Sequence, residues 1–366
     1  MQLIQRDLQV GSKDSIVHIE IRDTIATIDR VVWDRLCGSS QFCRHNYMTA
    51  LENSGLDCQY LYALAMSQGE LIGAAIATTW CINLPGKLSL RCCAMGTPVN
   101  TGLALMQAPG TDLRYELVSA LERSSAKRGV RIFIGRDFPD PDYLQQVRLD
   151  KFYNCAHLEL PWGDFEQYLA QLPKRKGVRR DIRALEKAGY ILEVRERKPL
   201  SEDEAQRLYH LWLQLYWKHR SPDQIMMTEA FFQQMSQLDH AVWLLLHKEG
   251  RIDAFDLCFV LGDQLESTYC GIDLAATGRL SVHRAMGYQI VRYAISRGLH
   301  SINFGISNEQ GKVEMGCRLE ACYAWMIANP KWLSSPLRLL MQRFVLEPGS
   351  PSDNRVTKAR TVADQR

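Results

Sequence analysis

The residues best placed to do chemistry fall in the second half of the 366-residue chain. Asp256 stands inside the apolar run AFDLCFV, where an ionised carboxylate is costly unless it is paired. Tyr269 and Asp273 follow on the next predicted strand, and Tyr269 is expected to enter the same cleft as Asp256 as a proton donor. Lys174, Arg175, Lys176, Arg179, Arg180 and Arg183 place six positive charges within ten residues, against one Asp. On a helix, Lys176, Arg179, Arg180 and Arg183 share a face, which suits a nucleic acid or a phosphate-bearing ligand. A second anion site is expected at Arg279-Leu280-Ser281. There a helix opens directly after a strand, and its free amides and dipole attract phosphate, with Arg284 adding charge. Arg220, beside Ser221-Pro222, is a further candidate phosphate contact. Asn303 and Ser307 flank Gly305 at a strand end, where ligands of open α/β sheets gather.

Several chemistries find no support in the sequence. No Ser-His-Asp or Cys-His pattern stands out, so direct transfer is preferred to a covalent intermediate. His210, His219, His283 and His300 are scattered. The eleven cysteines show no C-x-x-C spacing and lie mostly in apolar stretches, so they read as reduced, buried thiols, and no metal site is expected. Lys and Arg total 44 against 41 Asp and Glu, a net charge of +3. Any basic footprint must therefore be local. No run of 18 apolar residues predicts a membrane span, and the opening MQLIQRDLQVGSKDS lacks a signal-type apolar core. A cytoplasmic location is the resulting expectation.

Positioning these residues requires the elements around them. Residues 1–15 read as a loose lead-in. A strand at 17–21 and helices near 28–37 and 41–54 precede a β meander at 60–66, 71–84 and 88–95. A helix over 112–127, ended by Gly129, leads to a strand at 130–135, and a polar connector spans 136–152. A bridging strand at 155–161 comes next, then helices at 164–172 and 175–188 and a strand at 190–196. Ser201 and Glu204 have capping-box spacing and open a helix to about 219. Thr228 opens another. A second meander covers 241–250, 251–263 and 264–273, followed by a helix over 282–297 and strands at 299–305 and 319–329. A last helix at 331–345 and a disordered tail from 347 complete the prediction.

The two halves share one order: helices, strand, tight turn, long strand, third strand, helix, strand. SSAKRGVRIFIGRD (124–137) and AISRGLHSINFGIS (294–307) also match in character, each ending a helix in a basic residue and Gly before a buried strand. A duplicated α/β unit is the simplest explanation. This order, with KRKGVRRDIRALEKAGYILEV (174–194), YWKHRSPDQIMMTEAFFQQM (216–235) and FGISNEQGKVEMGCRLEACYAW (304–325), resembles the GNAT superfamily. Within it, the tandem arrangement resembles the FemAB-like branch of acyltransferases.

The resemblance implies an α/β (α+β) fold of two tandem GNAT-like units, each a mixed, mainly antiparallel sheet flanked by helices. The division is 1–152 and 153–346, with 347–366 as tail. It implies acyl transfer to an amine from acyl-CoA or aminoacyl-tRNA, used as a co-substrate with no tightly bound cofactor. The acceptor would be a small-molecule or cell-wall-type amine. The place of the usual Gln/Arg-x-x-Gly-x-Gly/Ala loop reads AATGRLSVHRAMG, so the donor stays open between CoA and tRNA. Under this reading Asp256 binds or deprotonates the amine. Lys312 matches the closing-motif lysine and would neutralise a phosphate or the oxyanion, and Glu309 or Glu314 beside it could be a base. Asp273, Asn303, Ser307 and Arg220 would contact substrate. The alternative reading is a non-catalytic protein of the same fold that recognises nucleic acid or a nucleotide-linked ligand.

Overall fold

A computed structural model describes residues 3–9, 16–38, 41–84, 88–219 and 224–336. Half one contains β1 (Leu3–Gln9), β2 (Ile16–Arg22), α1 (Arg30–Cys37), α2 (His45–Glu52), β3 (Gln59–Ser67), β4 (Glu70–Leu84), β5 (Leu88–Met95), β6 (Leu105–Gln107), α3 (Arg114–Lys127) and β7 (Ile132–Phe138). β8 (Asp150–Glu159) crosses to the second half, made of α4 (Phe165–Gln171), α5 (Arg175–Lys187), β9 (Ile191–Glu196), α6 (Glu202–His219), α7 (Glu229–Ser236), β10 (Ala241–Lys248), β11 (Arg251–Leu261) and β12 (Gln264–Ile272). α8 (Leu274–Thr277), α9 (Val282–Ser296), β13 (Ser301–Asn303), α10 (Glu309–Glu314) and β14 (Arg318–Ala328) follow.

Local chemistry sets many of these boundaries. The Asp29, Asp164 and Thr228 side chains each accept a bond from a first-turn amide of their helix. Ser201 and Glu204 form the reciprocal capping box, at 2.9 and 3.2 Å, which satisfies two amides that a helix start leaves free. The strands alternate as half-turned ribbons should. Tyr60, Tyr62 and Leu64 of β3 enter one core, and Leu61, Ala63 and Ala65 enter another.

The strands form one continuous sheet in the order β1-β2-β3-β4-β5-β7-β14-β8-β13-β12-β11-β10-β9, with β6 on β4. Its arrangement is pseudo-symmetric about the β14/β8 pair. On one side β5 runs parallel to β7; on the other β12 runs parallel to β13. Each half also lends its last strand to the other, since β14 pairs with β7 and β8 pairs with β13. The boundary expected at 152/153 falls inside β8. One helical layer, α1 and α2 with α6 and α7, packs as a single core shared by both halves. On the opposite face α3 covers half one, while α4, α5 and α9 cover half two.

Two expectations change. Residues 3–9 of the supposed lead-in form an edge strand on β2. The register shift between Ile4 and Leu8 breaks the period-2 pattern by which a strand is recognised. The connector at 136–152 holds the end of β7 and the first residues of β8. The expected last helix begins as a short turn at Lys331–Leu333 and continues helical to residue 336; its remainder and the tail lie outside the described residues.

Candidate active site

The site begins where the sheet opens. β12 and β13 pair only from Gln264↔Ser301 to Glu266↔Asn303. β12 continues to Ile272, whereas the chain after Asn303 turns to β8, with Phe304 N–H donating to Ala156 O at 2.8 Å. A wedge therefore opens between Ser267–Ile272 and Phe304–Ser307. Half one has the same split after Ala94↔Ile134, but it is filled. Arg136, two residues beyond that last pair, donates to the carbonyls of Met95 (2.9 Å), Thr97 (2.6 Å) and Asn100 (3.1 Å). It also pairs with Asp137 at 3.0 Å. The corresponding residue of half two is Gly305, with φ +65° and open space where a Cβ would stand. A side chain closes one wedge; its absence leaves the other open.

Lys312, on the short helix α10, closes the back of the open wedge. Its Nζ donates to Phe304 O (2.7 Å), Gly305 O (3.2 Å) and Ile306 O (2.5 Å). Burial lowers its pKa to about 8, so the ammonium is held by carbonyls in surroundings that favour losing its proton. Glu309 accepts from Asn154 Nδ2 at 2.9 Å, and Glu314 pairs with Lys174 at 2.7 Å. Both acids flanking Lys312 are thus tied to neighbouring elements.

The sheet faces divide the remaining candidates. Asp256 pairs in register with Cys270, and Leu257 with Tyr269. Leu257 belongs to the shared-helix core, whereas Ala254 and Cys258, which flank Asp256 in the alternation, belong to the α9 core. Tyr269 packs on the shared-helix side, 5.9 Å from the Phe231 ring. The expectation that Tyr269 and Asp256 share a cleft is therefore corrected: the pleat sends them to opposite faces. Asp256 makes no hydrogen bond or ion pair among the described residues, and burial raises its pKa well above the carboxylate range. Cys270 feels both Asp256 and the Lys312 charge, which places these three groups around one end of the wedge.

Glu266, not singled out in the sequence, is the second unusual carboxyl. It lies on the shared-helix side opposite Phe259, accepts from Asn303 Nδ2 at 3.1 Å, and burial raises its pKa to about 8. Asn303 also accepts from Gly305 N–H at 2.8 Å through Oδ1, so one side chain fixes both lips of the wedge. The polar pattern QLESTYCGI gave no reason to prefer Glu266 over a surface acid; only the parallel register places it at the apex. His283, one of the scattered histidines, stands near Lys312. It reaches solvent, yet desolvation and then the Lys312 charge hold its pKa below the ordinary imidazole value.

The basic candidates assemble on the α9 side. A cavity of about 760 Å³ is lined by Lys174, Arg175, Lys176, Gly177, Arg180 and Arg284, with the end of α4. It joins the basic helix to the start of α9, which the sequence could only list separately. Arg284 pairs with Asp181, as does Arg180 at 3.2 Å, and Arg179 pairs with Glu166. Lys176 and Arg183 are exposed without an ion pair among the described residues. Arg279 and Ser281 are exposed, Leu280 packs against the α9 core, and Ser281 makes no side-chain cap bond.

Asp273 is structural here. It caps α8 through Ala275 N–H and Ala276 N–H and pairs with Arg207 at 2.8 Å, so its expected role as a substrate contact is not supported by its surroundings. Ser307 is an exposed turn residue with φ 69°, and Arg220 lies outside the described residues. Among the described residues no cluster of His, Cys, Asp or Glu could hold a metal, and no helix is long and apolar enough to cross a membrane.

Comparison with known proteins agrees with this architecture. Residues 173–313 match the family described as Acetyltransferase (GNAT) domain. No curated protein matches the chain. Among solved structures, L-PGS from Bacillus licheniformis aligns at a TM-score of 0.52 and 14% identity, over 81% of this chain and 94% of that one. FemX aligns at 0.51 and 12%, over 85% and 98%. A tandem GNAT protein from the clavulanic acid biosynthesis pathway aligns at 0.51 and 12%, over 84% and 98%. At such identities the likeness establishes the fold.

Proposed function

From a second half that matches a GNAT acetyltransferase domain and a whole chain that shares the fold of FemX and of a tandem GNAT protein, we propose that this protein is an N-acyltransferase of the tandem, FemAB-like kind, working by direct transfer in the wedge of its second half. The observation that carries the reading is the wedge itself. It is open at Gly305, backed by Lys312 and bordered by two half-buried carboxyls, whereas its counterpart is filled by Arg136.

The donor's phosphates would rest in the basic cavity of α5 and Arg284, and its acyl group would extend along the α9 face into the wedge. The acceptor amine would come from the shared-helix face. Glu266 takes its proton, since a base with a pKa near the working pH is the most effective. Lys312, at the back of the wedge, neutralises the oxyanion of the tetrahedral intermediate and, with its pKa lowered to about 8, returns a proton to the departing group, while Tyr269 lines the acceptor's side. Holding donor and acceptor on opposite sides of one opening supplies the proximity that direct transfer needs.

Asp256 then has a donor-side role. A desolvated, half-buried acid without a partner among the described residues is stabilised by an incoming cation, and an aminoacyl group brings one in its α-ammonium, which an acetyl group lacks. This supports an aminoacyl ester over an acetyl thioester as donor. The acceptor is an amine, of small-molecule or cell-wall type.

Native mass spectrometry of the purified protein tests the donor: retained tRNA supports the aminoacyl reading, and retained CoA overturns it. Asp256→Asn is expected to cut kcat/KM for an aminoacyl donor by about 10- to 100-fold, the value of a charged hydrogen bond. It should leave binding of deacylated donor unchanged. If turnover is absent in wild type with both donor classes and every amine tried, while nucleic acid binds, the non-catalytic reading replaces this one.

A further inference from the structure

The seam between the halves carries a thiol pair that the proposed reaction does not use. Cys155 of β8 and Cys322 of β14 approach to 3.6 Å between their Sγ atoms. The strands are antiparallel neighbours; Cys155 is paired with Glu320, two residues from Cys322 and so on the same face. A register shift lies directly after Cys322, which gives the strand local slack.

The two thiols are unequal. Cys155 is buried, whereas Cys322 is partly accessible. Their shared hydrogen bond, followed by burial, raises the Cys155 pKa; the same hydrogen bond lowers that of Cys322. Asp137 and Glu320 face the pair with negative charge, and Lys312 brings a positive one to Cys155. An accessible sulfur thus deprotonates first, beside a protected partner that remains a thiol. Attack on an oxidant and resolution by a second sulfur require that combination.

We propose that Cys155 and Cys322 form a peroxide-reactive dithiol site that closes to a disulfide across the seam. The Cys322 thiolate attacks the O–O bond of a peroxide and becomes a sulfenic acid, while the departing alkoxide or hydroxide takes a proton and leaves as alcohol or water. The Cys155 sulfur then attacks the Cys322 sulfur; the S–O bond breaks, and the hydroxyl leaves as water with the Cys155 proton. Two thiols lose two electrons and the peroxide gains them. A small dithiol reverses the reaction. The sulfurs must close from 3.6 Å to about 2.05 Å, a movement the neighbouring register shift can absorb. The crosslink ties β8 to β14, the two strands that the halves exchange, and encloses the whole of the second-half core in one covalent loop.

The test needs no knowledge of the enzymatic substrate. The full chain is treated with hydrogen peroxide, alkylated, digested and mapped by mass spectrometry with and without dithiothreitol. A reducible crosslink between the Cys155 and Cys322 peptides is expected. It should be accompanied by a rise in Tm of several degrees that dithiothreitol reverses. Cys155→Ser and Cys322→Ser should each abolish both effects. Sulfinic acid at Cys322 without a crosslink overturns the proposal, as does pairing of either thiol with another cysteine. So does a pair left unmodified at a peroxide dose that oxidises the exposed Cys81. The wild-type peptide map decides the matter even if a serine variant fails to fold, and none of these outcomes depends on acyl transfer.

Discussion

Glu266 and Asp256, on neighbouring strands, show how the face of the sheet decides a carboxyl's task. The pleat turns Asp256 to the α9 side, and the partner strand carries Glu266 on the shared-helix side. Burial lifts Glu266 from 4.5 to about 8. If Glu266 is the base, activity should rise with pH through a limb near 8, and Glu266→Gln should lower kcat by about 10²–10⁴-fold. The pH–rate profile of the variant should lose that limb. Stability makes an independent prediction. Between 4.5 and about 8 the native state keeps a proton that the unfolded chain has released, so wild-type stability falls as pH rises through that window. Glu266→Gln removes this titration. Urea melts should show the variant gaining on wild type toward the alkaline end, and a constant difference across the window would count against the buried-acid assignment.

At the scale of elements, the clearest sequence signals were those with a short-range cause. The Ser201–Glu204 box and the Thr228 cap stand where the spacing put them, because a cap is satisfied within three residues. Ser201→Ala should cost about 1 kcal/mol by thermal or urea unfolding. The basic face of α5 was equally legible, since helical periodicity alone groups Lys176, Arg179, Arg180 and Arg183. Its function as a cavity wall was not, because Arg284 arrives from a helix a hundred positions away. Lys176 and Arg183 are the exposed cations of that face without an ion pair among the described residues. Lys176→Glu with Arg183→Glu should weaken binding of a tRNA donor and flatten its dependence on salt, while kcat at saturating donor stays close to wild type. Filter binding at several salt concentrations would show this; an unchanged salt slope would exclude the face from donor binding. Tyr269 and Asp256 were grouped in the sequence because both lie on neighbouring strands. Register, which decides the face, includes an irregularity between Leu257 and Cys258, and a bulge leaves no reliable mark in a short apolar run.

For the whole molecule, the repeat of order and the helix–Gly–strand matches were legible, and the sheet repeats them about the β14/β8 pair. The asymmetry between the copies was not, since Arg136 and Gly305 become comparable only once both parallel registers are known. Because a side chain fills the first wedge, one donor should bind per chain, as titration calorimetry or native mass spectrometry would count it. Two equivalent donors per chain would mean that Arg136 gives way.

The strand exchange also constrains how the protein is made. β7 pairs with β5 inside half one, but its other edge finds a partner only when β14 has been synthesised, some two hundred residues later. A nascent chain leaving the ribosome with half one complete in sequence still carries an unpaired β7 edge, and an open edge invites wrong pairing. Translation that stops before Arg318 should therefore release a protease-sensitive fragment that seeks chaperones, rather than an independently stable first half.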